Sequence, residues 1–199
     1  MPRLPTLSVE EARVVRENLG AYTDNMGGTL PNSVLTLARK PNILKAVTDL
    51  WFETIIAPGL VPKDLKWLAA DVFNVSAGCQ YCAAYTGENT VISDMDLAKV
   101  EAVWEYETSP LFTDAERIVL KIAQGVTQVP NAVTDEEFEE LRRHWDDDLV
   151  VEIIAAISTF GFFNRWNDTL ATELESSPLQ FEQDHLSDAG WNVGKHAAE

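Results

Sequence analysis

Residues Leu65-Lys66-Trp67-Leu68-Ala69-Ala70-Asp71-Val72-Phe73, followed by Val75-Ser76-Ala77-Gly78-Cys79-Gln80-Tyr81-Cys82-Ala83-Ala84-Tyr85, decide how this chain is read. Leu65, Leu68, Ala69, Val72 and Phe73 recur at the helical period, so the two cysteines follow an apolar helix. A thioredoxin-like pair would follow a strand within a βαβ pattern, and that arrangement is excluded. Ser76 reads as the cap of the next helix, with Cys79 at its third position and Cys82 one turn on. Side chains three apart share a helix face, so the two sulfurs can meet and close a disulfide with little backbone change. The partial positive charge of a helix start favours thiolate, which makes Cys79 the more acidic thiol by this argument. A thiolate so placed attacks a peroxide oxygen or a disulfide sulfur, and its neighbour resolves the product. The plain alternative is two buried cysteines packing as small apolar residues. Zinc needs three or four protein ligands. There is no second C-x-x-C, and His144, His185 and His196 lie far downstream, so neither a metal site nor a cofactor is expected.

Helix punctuation recurs outward from that stretch. Ser8-Val9-Glu10-Glu11 reads as a capping box opening a helix toward Gly20, and residues 21–29 read as a loop. Pro31, Pro41 and Pro62 stand where helices can begin, and Pro58-Gly59 breaks the chain. Ser93 is expected to cap a helix carrying Leu97, Val100 and Trp104. Thr113-Asp114-Ala115-Glu116 and Thr134-Asp135-Glu136-Glu137 are two further capping boxes. Asp146-Asp147-Asp148 opens a long segment that is apolar on nearly every side, Val150 through Phe163, expected as the central buried helix. No β-alternation and no Gly-rich phosphate loop occur. Each half carries a charged helix, an apolar helix and an aromatic-rich stretch. The expectation is one all-α domain over residues 1–175 with two pseudo-repeated halves. A polar tail follows over 176–199, packing on a partner subunit.

The chain has 199 residues, of which 46% are apolar, and a formal net charge of −17. That length supports a sizeable core in one domain. So acidic a chain repels nucleic acid and anionic lipid, and no nucleic-acid or membrane role is expected. No apolar run reads as a membrane span, and Met1-Pro2-Arg3-Leu4-Pro5 shows no secretory signal. A cytoplasmic location follows as the default.

The phrase Val75-Ser76-x-x-Cys79-x-Tyr81-Cys82 after an apolar helix, with Phe160-x-x-x-Asn164-Arg165 later on, resembles the carboxymuconolactone decarboxylase-like superfamily. The peroxidase-related branch, which includes alkylhydroperoxidase D, is the nearer match. The resemblance spans about residues 30–175 and implies an all-α, alkylhydroperoxidase D-like helical bundle that forms homo-oligomers. It implies a thiol peroxidase for small peroxides, reduced by a lipoyl-bearing or other thiol protein partner. Carried over, Cys82 is peroxidatic and Cys79 resolving, in conflict with the helix-start argument.

Two family residues are missing. The histidine four residues after the second cysteine is Thr86 here, and the glutamate twelve residues before the first is Trp67. A proton relay needs an ionisable group within hydrogen-bond reach. Asp71 and Tyr85 are the candidate replacements, with Tyr81 and Glu88 behind them. Arg165 reads as pairing with a buried acid, and His144 as a helix-end residue. Two rival functions stand beside the peroxidase. One is a non-catalytic or redox-sensing oligomer that kept the thiols; the other is a lyase or hydrolase acting on a small carboxylated metabolite.

Overall fold

In this computed structural model, which describes residues 2–8, 10–11, 30–186 and 190–198, the chain folds into α-helices, with no strand among the described residues. Helix α1 (Asn32–Leu37) starts directly after Pro31, and α2 (Pro41–Trp51) carries Pro41 at its first position and runs into a wide turn, Phe52–Ile56. Proline fits there because the first amide of a helix has no partner to lose. After the Pro58-Gly59 break come α3 (Lys63–Ser76) and α4 (Gln80–Ile92). The short α5 (Leu97–Glu101) is capped by Asp96, whose carboxylate accepts the Ala98 amide. Ser93, expected as that cap, instead closes α4, because the chain needs Asp94 in a left-handed turn before it can restart.

Helices α6 (Asp114–Gly125) and α7 (Asp135–His144) each begin with a complete capping box, Thr113 with Glu116 and Thr134 with Glu137. Helix α8 (Asp147–Leu170) is capped by Asp146 and stops at Ala171, which has φ 49°. Helix α9 (Ser176–His185) and a single turn, Gly194–His196, complete the order. The Ser8–Glu11 hydrogen bonds of the first capping box are present. The helix it was expected to open, and the loop over 21–29, lie outside the described residues.

The centre of the fold is α3, not α8. Every residue from Leu65 to Asn74 is buried, and α4, α6 and α8 pack around that helix. Helix α8 buries one face (Val150, Ile153, Ala156, Ile157, Phe160, Phe163) and leaves Val151 and Phe162 exposed. Its apolar residues outnumber what one face can cover, which is why composition alone misplaced it. By length and composition it is long and apolar enough to cross a membrane, contrary to the expectation that no run is; in the fold it packs on α3 and α4.

Residues 176–186 and 190–198 fold back on this same chain. Helix α9 lies against α4 so closely that a Cβ at Gly87 would stand 2.7 Å from Glu182 Oε1. The Leu174 amide donates to the His196 carbonyl at 2.9 Å, and both Glu182 and His196 are buried. Across α3 and α8, the Lys66 ammonium, 2% exposed, is paired with Glu152. Burial alone would raise the Glu152 carboxyl; Lys66 and the Leu60 and Val61 amides outweigh it and hold the carboxyl below its ordinary range.

Candidate active site

The link between α3 and α4 sets the two sulfurs. Gly78 has φ +81°, a conformation that only glycine adopts cheaply. The Gly78 amide donates to Val75 O and the Cys79 amide to Asn74 O, the paired bonds of a Schellman ending. Helix α3 therefore runs through Ser76, and Ser76 caps nothing. Cys79 is itself the cap of α4: it is extended (φ −92°, ψ 97°), and its Sγ accepts the Cys82 amide at 3.4 Å. Cys82 is the third residue of the helix, and the two sulfurs lie 2.8 Å apart as free thiols.

This corrects the expected register by one turn. Cys82 takes the position assigned to Cys79, so the argument that made Cys79 the more acidic thiol by that placement loses its premise. Burial pushes the Cys82 thiol well above its ordinary range, the neighbouring Cys79 adds to this, and a hydrogen bond from Asn167 opposes it. Asn167 Nδ2 stands 3.7 Å from Cys82 Sγ.

Of the two cysteines, Cys82 lines the cavity beside the pair and Cys79 does not. Cys82 lines a small cavity of about 50 Å³ with Trp51, Trp67, Tyr81, Tyr85, Phe160, Phe163 and Asn167. Cys79 is fully buried behind it. The wall is aromatic: Trp67 meets Trp51 edge-on at 6.4 Å between centroids and Phe160 at 5.6 Å. Trp67, which stands where the resemblance implies glutamate, brings an indole N–H with no hydrogen-bond partner among the described residues. Tyr81 donates to Glu175 Oε1 at 3.2 Å, and the Tyr81 and Tyr85 rings are 5.1 Å apart. Burial, then the Glu175 charge, raises the Tyr81 phenol well above its usual range; Tyr85 is raised by burial and then by Tyr81. Glu175 is itself raised by burial.

Of the candidate relay residues, Tyr85 lines the cavity with Cys82, while Asp71 lies under the helix. Asp71 Oδ1 is 2.8 Å from the Thr86 hydroxyl, which also reaches the carbonyls of Cys82 and Ala83. Asn74 bonds Thr86 and the Cys82 carbonyl, and Asn164 bonds Asn74. Burial pushes the Asp71 carboxyl up to about 7, against the Thr86 hydrogen bond. Glu88 meets Ser177 on α9. Arg165 is exposed and no ion pair involves it among the described residues, so the expected buried partner is not found there. His144 ends α7 and meets Glu140 at 3.1 Å, as a helix-end residue does.

Sequence reasoning missed Asn167, Asp168, Glu175 and His196. The ligand count that discounted metal placed all three histidines far from the pair. Instead Cys79 Sγ, an Asp168 carboxylate oxygen and a His196 ring nitrogen lie within 4.8 Å of one another. Lys195 Nζ holds Asp168 at 2.7 Å, and Cys82 Sγ lies 2.8 Å from Cys79 Sγ.

No family model matches the sequence. It is 28% identical over 92 residues to the uncharacterized protein YnjA of Escherichia coli (strain K12), covering 46% of this chain and 50% of that one, so the chain spans about half the length of the curated relative it matches. The debrominase Bmp8 is 30% identical, with 90% of this chain and 96% of that chain covered and a TM-score of 0.83. A Cys-to-Ala variant of Bmp8, seen in complex with 2,3,4-tribromopyrrole, aligns equally well. An uncharacterized peroxidase-related protein with an alkylhydroperoxidase AhpD core, from Ralstonia eutropha JMP134, shares the fold at 22% identity and TM-score 0.77, over 89% of this chain and 94% of that one. The fold, the position of the cysteine pair at the start of α4 and the likeness to Bmp8 agree: the chain belongs to the alkylhydroperoxidase D / carboxymuconolactone decarboxylase-like superfamily.

Proposed function

We propose that this protein is a two-thiol oxidoreductase that reduces a small apolar electrophile, in the first place an organic hydroperoxide, held against Cys82. The carrying observation is the asymmetry of the pair: Cys82 faces the aromatic cavity while Cys79 waits 2.8 Å behind it. The Cys82 sulfur attacks the outer peroxide oxygen, the O–O bond breaks, and the thiol proton ends on the departing alcohol. Cys82 is left as a sulfenic acid. Cys79 then displaces hydroxide, and a disulfide and water result. The positive end of α4 and the Asn167 amide support the Cys82 thiolate during attack. Return to the dithiol requires an external dithiol, and a lipoyl-bearing protein partner is the class that fits the family. The cavity of about 50 Å³ takes the head of a hydroperoxide without rearrangement.

A second reading has its own support. The aromatic wall and the likeness to Bmp8, a debrominase, favour an electron-rich ring carrying halogen. There Cys82 would take the halogen as a sulfenyl halide, a proton would replace it on the ring, and Cys79 would expel halide. Both readings oxidise the same dithiol by two electrons. Mass spectrometry of alkylated protein separates them from inert thiols. One alcohol, or one dehalogenated ring, is expected per disulfide formed. Cys82→Ser is expected to abolish this, while Cys79→Ser stops at the first adduct. Thiols that remain alkylatable after both a hydroperoxide and a bromopyrrole overturn the proposal. Turnover that survives loss of both cysteines would favour lyase or hydrolase chemistry instead.

A further inference from the structure

The family's proton relay is missing from α3 and α4, yet a buried imidazole reaches the pair from elsewhere. His196 sits on the Gly194–His196 turn and is 1% exposed. Its Nδ1 lies 2.7 Å from the Thr172 carbonyl, which can only accept, so Nδ1 carries the ring proton. Nε2 is therefore a lone pair, and no hydrogen-bond partner meets it among the described residues. Asp168 Oδ1 is 4.0 Å from Nε2, and Cys79 Sγ, an Asp168 carboxylate oxygen and a His196 ring nitrogen lie within 4.8 Å of one another. A buried acceptor left empty is costly unless something uses it.

We infer that His196, backed by Asp168, is the proton acceptor for Cys79, replacing the absent relay from the C-terminal turn. The inference rests on the two-thiol reading of Cys79 and Cys82. His196 takes the thiol proton, and Asp168 stabilises the imidazolium that forms. The Cys79 thiolate then makes the S–S bond to Cys82 as the S–O bond of the sulfenic acid breaks. The departing hydroxide takes the proton from His196 and leaves as water, so the imidazole ends neutral. The charged and titratable groups facing His196 are Asp168 on α8, Lys195 beside it, and Cys79 and Tyr81 at the start of α4. Burial keeps the imidazole below its usual range, with the Thr172 carbonyl and Asp168 opposing. The ring therefore rests in its basic form near neutral pH. Lys195 pairs with Asp168 at 2.7 Å, and its charge opposes that of the imidazolium.

The test needs no substrate, so it stands or falls apart from the proposed function. In a Cys82→Ser background the thiolate absorbance of Cys79 is titrated against pH, with and without His196→Asn. Asparagine keeps a donor for Thr172 and removes only the Nε2 position. The expected result is a fall of about one unit in the Cys79 midpoint, about a tenfold gain of thiolate at neutral pH, because the neutral Nε2 lone pair accepts from the thiol and favours its protonated form, with the same full amplitude in strong base. In a Cys79→Ser background the Cys82 titration should not move. An unchanged Cys79 midpoint overturns the inference. So does an equal shift in both cysteines, which would mark a general loss of packing; His196→Gln, with its amide near the Nε2 position, gives a second variant if the first folds poorly. A shifted midpoint in a protein that oxidises with no substrate sinks the proposed function and leaves this relay standing.

Discussion

Asn167 offers the sharpest test among single residues, because its amide reaches the reactive sulfur directly at 3.7 Å. Replacing it by leucine keeps the volume and removes the donor. A hydrogen bond to a charged group contributes about 1.5–3 kcal/mol; with a long sulfur contact the lower end applies, so Cys82 alkylation at neutral pH should slow by about tenfold. An unchanged rate would show that the helix start alone supports the thiolate. The pair itself was legible in the sequence, since three-residue spacing on a helix is local information. Its register was not. The Ala77-Gly78 sequence ends α3 by the glycine rule, and that signal should have outweighed Ser76 as a cap. His196 was beyond reach for a different reason: nothing near it in the chain marks it, and only the fold-back of the C-terminal turn brings it to Cys79.

Among elements, the seam between α4 and α9 predicts how stability follows pH. Burial, with Asp71 and Glu88 adding, raises the Glu182 carboxyl to about 8, and burial raises Asp71 to about 7. Both folded values lie above the unfolded ones near 4. Their neutral forms are the ones the fold accepts, so this stability is complete in acid and is lost as pH rises through about 7 to 8. Glu116, Glu137 and Glu152 are shifted the other way. Their contribution is present above the unfolded value and fades as pH falls below it. The thermal midpoint should therefore peak in mildly acidic buffer and fall by pH 8.5, and Glu182→Gln should flatten the alkaline side. A midpoint that rises into base would refute the seam's role. Across α3 and α8, Glu152→Ala leaves the Lys66 ammonium buried without its partner. The expected loss is about 3 kcal/mol, read as a lower denaturation midpoint. The capping boxes of α6 and α7 were plain in the sequence because each is a four-residue pattern. The central position of α3 was not, because burial on all sides depends on which helices arrive around it.

For the whole molecule, the residues α8 leaves uncovered matter most. Val151 and Phe162 are exposed, and so are Ile43 and Leu50 on α2 and Leu60 just after the Pro58-Gly59 break. A chain of net charge −17 that keeps these in water has reason to cover them with a second copy. Sizing by light scattering should give a homo-oligomer, and Val151→Glu with Phe162→Glu should reduce it to monomer. A monomeric parent protein would remove that expectation. The all-helical architecture was readable from period and caps, whereas this outer face was mistaken for core because periodicity cannot tell which neighbour does the covering. The aromatic cavity carries one last consequence. Of six tryptophans, Trp51 and Trp67 border Cys82. Sulfur quenches indole emission differently as thiolate and as disulfide, so the protein's own fluorescence should report, in real time and without a label, each turn of its redox cycle.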